Sequence, residues 1–221
     1  MRILEALPRK RATLILLLAS MWAAVFLIWW LRRPPRLEVE ARNLLEAMQS
    51  GDGSVLQHYA FPEEVAANAL SPDKLRRVYM EIVIPRLNQL KRSGNMELQN
   101  FGDQGVAGYD VATKYGRRFS MSADVYPVDG EIRSPVLRSV FGAWLMDYYS
   151  THDEPFDLLT RNKAIIAGVR ADREKLRAIG VVAVSDIDVI SGTVTMLPID
   201  SLDTHYERWN ASLEKQGRRS P

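Results

Sequence analysis

The chain has 221 residues, with 29 Lys plus Arg, 27 Asp plus Glu and no cysteine. The lack of cysteine excludes disulfide staples, thiolate metal sites and cysteine nucleophiles together, and leaves the compartment open. Of the net charge of +2, residues 1–36 hold +6 and the remainder therefore −4, which argues against nucleic acid as a partner.

The first eleven residues form a basic tail with Arg2, Arg9, Lys10 and Arg11. Ala12 to Leu31 then reads ATLILLLASMWAAVFLIWWL, with no charge and no proline. A helix over this stretch rises ~30 Å, the thickness of a bilayer's hydrocarbon core. It is predicted to be a single transmembrane helix of the signal-anchor kind. A cleaved signal peptide would have a shorter apolar region and end in small residues, whereas this run leaves through Trp29, Trp30, Arg32 and Arg33. The expected membrane-interface residues are Arg9, Lys10, Arg11, Trp29, Trp30, Arg32 and Arg33, with aromatic rings at the headgroups and cations at the phosphates. Basic residues on the two flanks nearly balance. The four crowded into the short tail favour an amino terminus in the cytoplasm and a domain outside it, the reverse orientation being the alternative.

Residues 32–37, containing Pro34 and Pro35, form a stiff spacer that keeps the domain close to the bilayer. Beyond it the composition is that of an ordinary globular chain, so one domain with a real core is expected, two small lobes being the other arrangement. Apolar positions Val39, Ala41, Leu44, Leu45 and Met48 predict a helix over 38–49, stopped by the Ser50-Gly51-Asp52-Gly53 run. Short helices are expected at 54–59 and 62–69. A longer one opens at Ser71-Pro72-Asp73 with the stripe Leu75, Val78, Tyr79 and Ile82; Pro85 should kink or end it, and Lys91 to Gly94 reads as a helix carboxyl end.

The period then shortens to two. Segments 96–101, 106–114 and 117–126 predict an antiparallel meander, with a further tight turn at Asp129-Gly130. Ser134-Pro135 opens an apolar helix, Val136 to Tyr148, expected to lie across the sheet. After the break at His152 to Pro155, helices are expected around 156–162 and 171–179. A hairpin turning at Ser191-Gly192 and a last helix over 201–215 follow, and residues 216–221 form a frayed tail. The fold class is α+β: an amino-terminal membrane helix, then helices packed on an antiparallel sheet over 38–150, with a helix, hairpin and helix extension over 151–215 on the same domain.

Helices followed by long antiparallel strands, with a helix over the sheet, resemble in element order the α+β cone of the nuclear-transport-factor and ketosteroid-isomerase-like superfamily, over Glu38 to Tyr126. The resemblance implies a single-pass protein of a bacterial inner membrane, because members of that kind are often carried on one span and some assemble secretion channels. It also implies protein partners in or outside the membrane, with homo-oligomers possible. The isomerase branch's Asp, Tyr and protonated Asp have no numbered counterparts here, so its chemistry does not carry over.

No catalytic, cofactor-binding or metal-ligating set emerges. His58, His152 and His205 lack ligand spacing. His152-Asp153-Glu154 reads as a solvated loop, and no serine sits in a G-x-S-x-G turn. The glycines around Gly102 and Gly105 suit a hairpin rather than a dinucleotide. Asn210-Ala211-Ser212 matches the glycosylation triplet inside a predicted helix. Tyr109, Phe119, Trp144 and Tyr148 are the candidate pocket residues, aromatic side chains that either pack the core or line an apolar cone cavity. A protein-binding or assembly module at the membrane surface is the expected function, the alternative being a small-ligand binder or enzyme using that cavity.

Overall fold

Leu37, Ala41, Leu44 and Leu45 are buried along one side of the first helix, α1 (Leu37–Ser50), as its helical period requires. The computed structural model describes residues 21–22, 37–188 and 193–217. The expected span at Ala12–Leu31 lies outside them apart from Met21 and Trp22, which are helical and exposed. The candidate interface residues Arg9, Lys10, Arg11, Trp29, Trp30, Arg32 and Arg33 lie outside them too. Among the described residues no helix is long and apolar enough to cross a membrane.

The unit Arg36–Pro221 is α+β, with helices packed on an antiparallel sheet. Strands β1 (Lys91–Asn100), β2 (Gly105–Ala112), β3 (Arg118–Val128) and β4 (Glu131–Arg133) form a meander in sequence order. Here α1 lies across β2 and β3, covering Ala107, Ala123 and Val125 on the odd-numbered face, where Val111 and Met121 are buried too. The approach is close. A Cβ on Gly105 would stand 2.4 Å from the Leu37 carbonyl carbon.

After α1 come α2 (Gly53–Tyr59), whose cap Asp52 accepts from the Ser54 and Val55 amides, and α3 (Pro62–Asn68). A continuous rod follows: α4 (Pro72–Val78), a π-helical segment (Tyr79–Val83) and α5 (Ile84–Leu87). The rod passes through Pro85, which the sequence expects as a kink or a stop. Proline lacks an N–H and crowds the carbonyl four residues back. The widened turn, in which the Ile84 amide donates to the Tyr79 carbonyl, makes room for the ring.

Three further expectations are corrected. Lys91 to Gly94 is not a helix end but the start of β1, recruited by pairing of Lys91 with Ala112 and Arg92 with Val111. The helix after Ser134-Pro135, a 3₁₀ turn (Val136–Arg138) running into α6 (Ser139–Thr151), packs on the rod and on the next helix instead of crossing the sheet. The helices expected at 156–162 and 171–179 are one, α7 (Leu158–Ile179), capped by Asp157 and ended by Gly180 in the left-handed region. Its interior Gly168 reads as a weak point in sequence but is a crossing point: a Cβ there would lie 2.1 Å from Cγ of Trp144.

The extension closes with the antiparallel hairpin of β5 (Ala183–Asp188) and β6 (Thr193–Pro198), then α8 (Leu202–Gly217) on α7. Buried Asn68 docks the hairpin, its Oδ1 accepting from the Val182 and Ala183 amides at 2.8 and 3.0 Å.

Candidate functional site

A break in the packing beside the sheet follows from how β4 ends. The Asp129-Gly130 turn, with φ of 52° and 83°, closes a two-residue hairpin on the pair Val128 and Glu131. By the alternation of antiparallel ladders, even-numbered β3 residues then turn their N–H and C=O toward β4, and odd-numbered ones toward β2. Strand β4 covers only Tyr126 to Val128. It leaves the sheet after Arg133, because the Ser134 amide donates instead to the Tyr59 carbonyl at 2.7 Å and Pro135 has no donor. The main-chain groups of Ser120, Ser122 and Asp124 are left facing outward, with no hydrogen-bond partner among the described residues.

That open edge is one wall of a groove of about 290 Å³. Phe141, Leu145 and Met146 of α6 form the facing wall, and Met48, Val83 and Leu87 the floor. Arg138 and Arg161 also line it, as does Asp124, whose carboxyl is raised above its usual range by burial, against opposing contributions from Ser122 and Arg138.

The α6 wall is held by buried polar groups. The Glu64 carboxylate is fully buried and accepts from the amides of Phe61, Val136 and Leu137 and from the Ser185 hydroxyl. Burial pushes its pKa up to about 7 although all four donors pull it down. Tyr79 donates to the Val136 carbonyl at 2.8 Å, so both sides of the 3₁₀ turn are pinned. Further along, Trp144 Nε1 donates to buried Asp172 at 2.8 Å, and the same carboxylate takes the Arg86 guanidinium at 2.8 Å. One carboxylate thus ties α6, α7 and the rod together through its Oδ2, with the Arg86 guanidinium as counter-charge, while its buried Oδ1 accepts no hydrogen bond and has Lys175 at 3.7 Å. The groove is preorganised rather than loose.

The four sequence candidates are placed apart, and none of them lines this groove. Trp144 is core. Tyr109 lies under the Arg92 guanidinium, 4.4 Å from it, and with Arg92, Val111 and Leu87 lines a separate space of about 300 Å³. Phe119 packs among Tyr149 and Phe156, with centroids at 5.5 and 5.7 Å. Tyr148 stacks on His152 at 4.1 Å and donates to Glu154, which raises its hydroxyl to about 12 after the leading effect of burial. The His152 to Glu154 loop is tied down, Asp153 to Arg117 at 2.8 Å and Glu154 to Lys163 at 3.3 Å. Asn210 is engaged in the seam between α7 and α8, accepting from buried Asn162 at 2.7 Å. Among the described residues no three His, Asp or Glu side chains are grouped to hold a metal ion.

Sequence reasoning missed the groove because its signal is a pairing that stops. Only the Asp-Gly turn, separated from Ser-Pro by just three residues, hints at a strand too short to cover its neighbour. No family model, no curated protein and no solved structure matches the chain.

Proposed function

We propose that the protein is a single-pass membrane protein whose α+β domain, outside the cytoplasm, is a protein-binding or assembly module at the membrane surface. The observation that carries the binding part is the unpaired β3 edge beside a pinned apolar wall, which offers directional hydrogen bonds and apolar area in one place. Membrane anchoring is supported by the uninterrupted apolar run Ala12–Leu31 with tryptophan and arginine at its exit. The cone resemblance belongs to the same proposal, and what supports it is α1 lying over the meander.

A small-ligand role in a cone cavity fits less well. Under α1 the sheet face is side-chain core, with Ala107 and Val125 fully buried, and the space of about 300 Å³ farther along that face is lined by Arg92, Gln49 and Asn88 as well as by Tyr109, Val111 and Leu87. Alkaline carbonate washing and carboxyl-terminal reporter fusions test the anchor; release of the full-length chain into the supernatant refutes it. Covalent cross-linking in intact membranes, comparing the wild type with a groove-filled Gly142→Leu variant, tests the module. An unchanged set of cross-linked proteins refutes the groove as its docking site.

A further inference from the structure

We infer that the groove binds an acidic, extended segment of a partner protein by strand addition: the segment continues the line of β4 along Ser120 to Asp124 and lays its apolar side chains against α6. The inference rests on the protein-binding reading and names the form and charge of what binds.

Three observations converge. The first is the edge itself. The N–H and C=O of Ser120, Ser122 and Asp124 point the way those of Tyr126 and Val128 do, toward the side where β4 pairs. An added strand there meets a ladder already in register, since the pairing of β2 with β3 runs without a shift from Gly105–Val125 to Ala112–Arg118. Five residues from Ser120 to Asp124 span ~13–17 Å at ~3.3 Å each, enough for a short recognition segment.

The second is the contrast with the sheet's other border. The outer edge of β1 is blunted: it is broken by a register shift between Ser93 and Glu97 with Gly94 at φ 106°, and it carries Lys91, Arg92 and Glu97. Such features discourage edge pairing. The β3 edge has no bulge, and serines at two of its three outward positions. Its protection from indiscriminate pairing is the α6 wall beside it.

The third is charge. Arg161 lines the groove and Arg118 begins the open edge, and neither has an ion-pair partner among the described residues. Arg138 is ion-paired with Asp186 at a long 3.8 Å, and both side chains are about one-third exposed. The groove's own lining holds two of these cations, Arg138 and Arg161, against one acid, Asp124. Acidic residues on the segment would meet the arginines, while Met48, Val83, Leu87 and Phe141 take the apolar side chains on its other face.

The test uses the full-length chain in detergent and a fluorescent peptide of about nine residues alternating glutamate and valine, with binding read by polarisation. Saturable binding is expected, with slowed amide exchange over residues 118–125. A lysine-for-glutamate peptide should bind at least about tenfold more weakly, and so should a peptide methylated on alternate backbone nitrogens, because the one reverses the charge and the other removes ladder donors. Two variants should show the same loss. Ser122→Pro deletes one outward donor at an edge position that tolerates proline. Gly142→Leu fills the groove from a position where a Cβ meets nothing within 4 Å. Both should keep the wild-type urea midpoint to within about 0.5 M.

Absence of peptide binding, or equal binding of the methylated peptide, overturns strand addition. If Gly142→Leu still removes cross-linked partners in membranes, the docking reading survives that failure; if it does not, both fall. Self-association of the solubilised chain that Gly142→Leu abolishes would put a second copy in the groove and overturn the inference.

Discussion

Replacing Gly168 by alanine tests whether the junction of α6 and α7 is as close as the structure places it. A Cβ on residue 168 would lie 2.1 Å from Cγ and 2.5 Å from Cβ and Cδ1 of Trp144. The indole cannot simply swing away, because it is buried and donates to Asp172, which also holds Arg86. Overpacking a core costs about 1–3 kcal/mol. Stretching or breaking a hydrogen bond to a charged acceptor adds about 1.5–3 kcal/mol. Against this, alanine gains about 1 kcal/mol over glycine as a helix former. The balance is a loss of about 3 kcal/mol, which lowers the urea midpoint by about 1.5 M at a slope near 2 kcal/mol/M. Unfolding of the detergent-solubilised chain followed by far-ultraviolet circular dichroism reads it. Gly142→Ala on α6 is the internal control: its Cβ meets nothing within 4 Å, so only the propensity gain remains and the midpoint should rise slightly. A Gly168→Ala midpoint equal to or above that of the wild type would refute the close crossing.

Other predictions follow from the same geometry. Glu64 has a folded pKa of about 7, above its ordinary 4.5, so the folded state holds its proton more tightly than the unfolded chain does. Its stabilising contribution is complete below about pH 4.5 and is lost as pH rises through 7, by up to about 3 kcal/mol at ~1.4 kcal/mol per tenfold in proton affinity. Urea titrations at pH 5 and pH 8 should show that slope in the wild type and a flatter one in Glu64→Gln; parallel slopes would refute it. Gly53→Ala brings a Cβ to 1.9 Å from the Pro72 carbonyl oxygen. Because backbone rather than a flexible tip must yield, it should cost more than about 3 kcal/mol in the same assay. Asn68→Ala leaves the Val182 and Ala183 amides without their acceptor, at about 1–3 kcal/mol per buried group. Faster amide exchange confined to β5 is its expected signature.

What could be read from the sequence divides along a physical line. Signals carried by neighbours along the chain were legible. The apolar faces of α1 and of the rod, the serine cap before Pro72, the Asp129-Gly130 turn and the alternation in β2 and β3 depend on spacing within a few residues, and the α+β class follows from them. Where the outcome depends on a partner distant in sequence, local patterns misled. Lys91 to Gly94 carries every mark of a helix end, yet it is a strand because Ala112 and Val111 pair with it. Gly168 looks like a break and is a contact.

The candidate site lies on the tertiary side of that line. Tyr109, Phe119, Trp144 and Tyr148 stand out because aromatic side chains bury large areas, but size does not say where a side chain lands. The groove is assembled from residues unremarkable one by one: two serines, an aspartate and a few aliphatics on β3, α6 and the rod. It exists because the Ser134 amide prefers the Tyr59 carbonyl to the sheet, and because Glu64, 72 residues before Val136, gathers the amides that set α6 in place. Local chemistry along the chain was enough to settle the kind of fold, since helices and strands answer to near neighbours. The exposed edge came only with the folded chain, since an unpaired strand is defined by what fails to lie beside it.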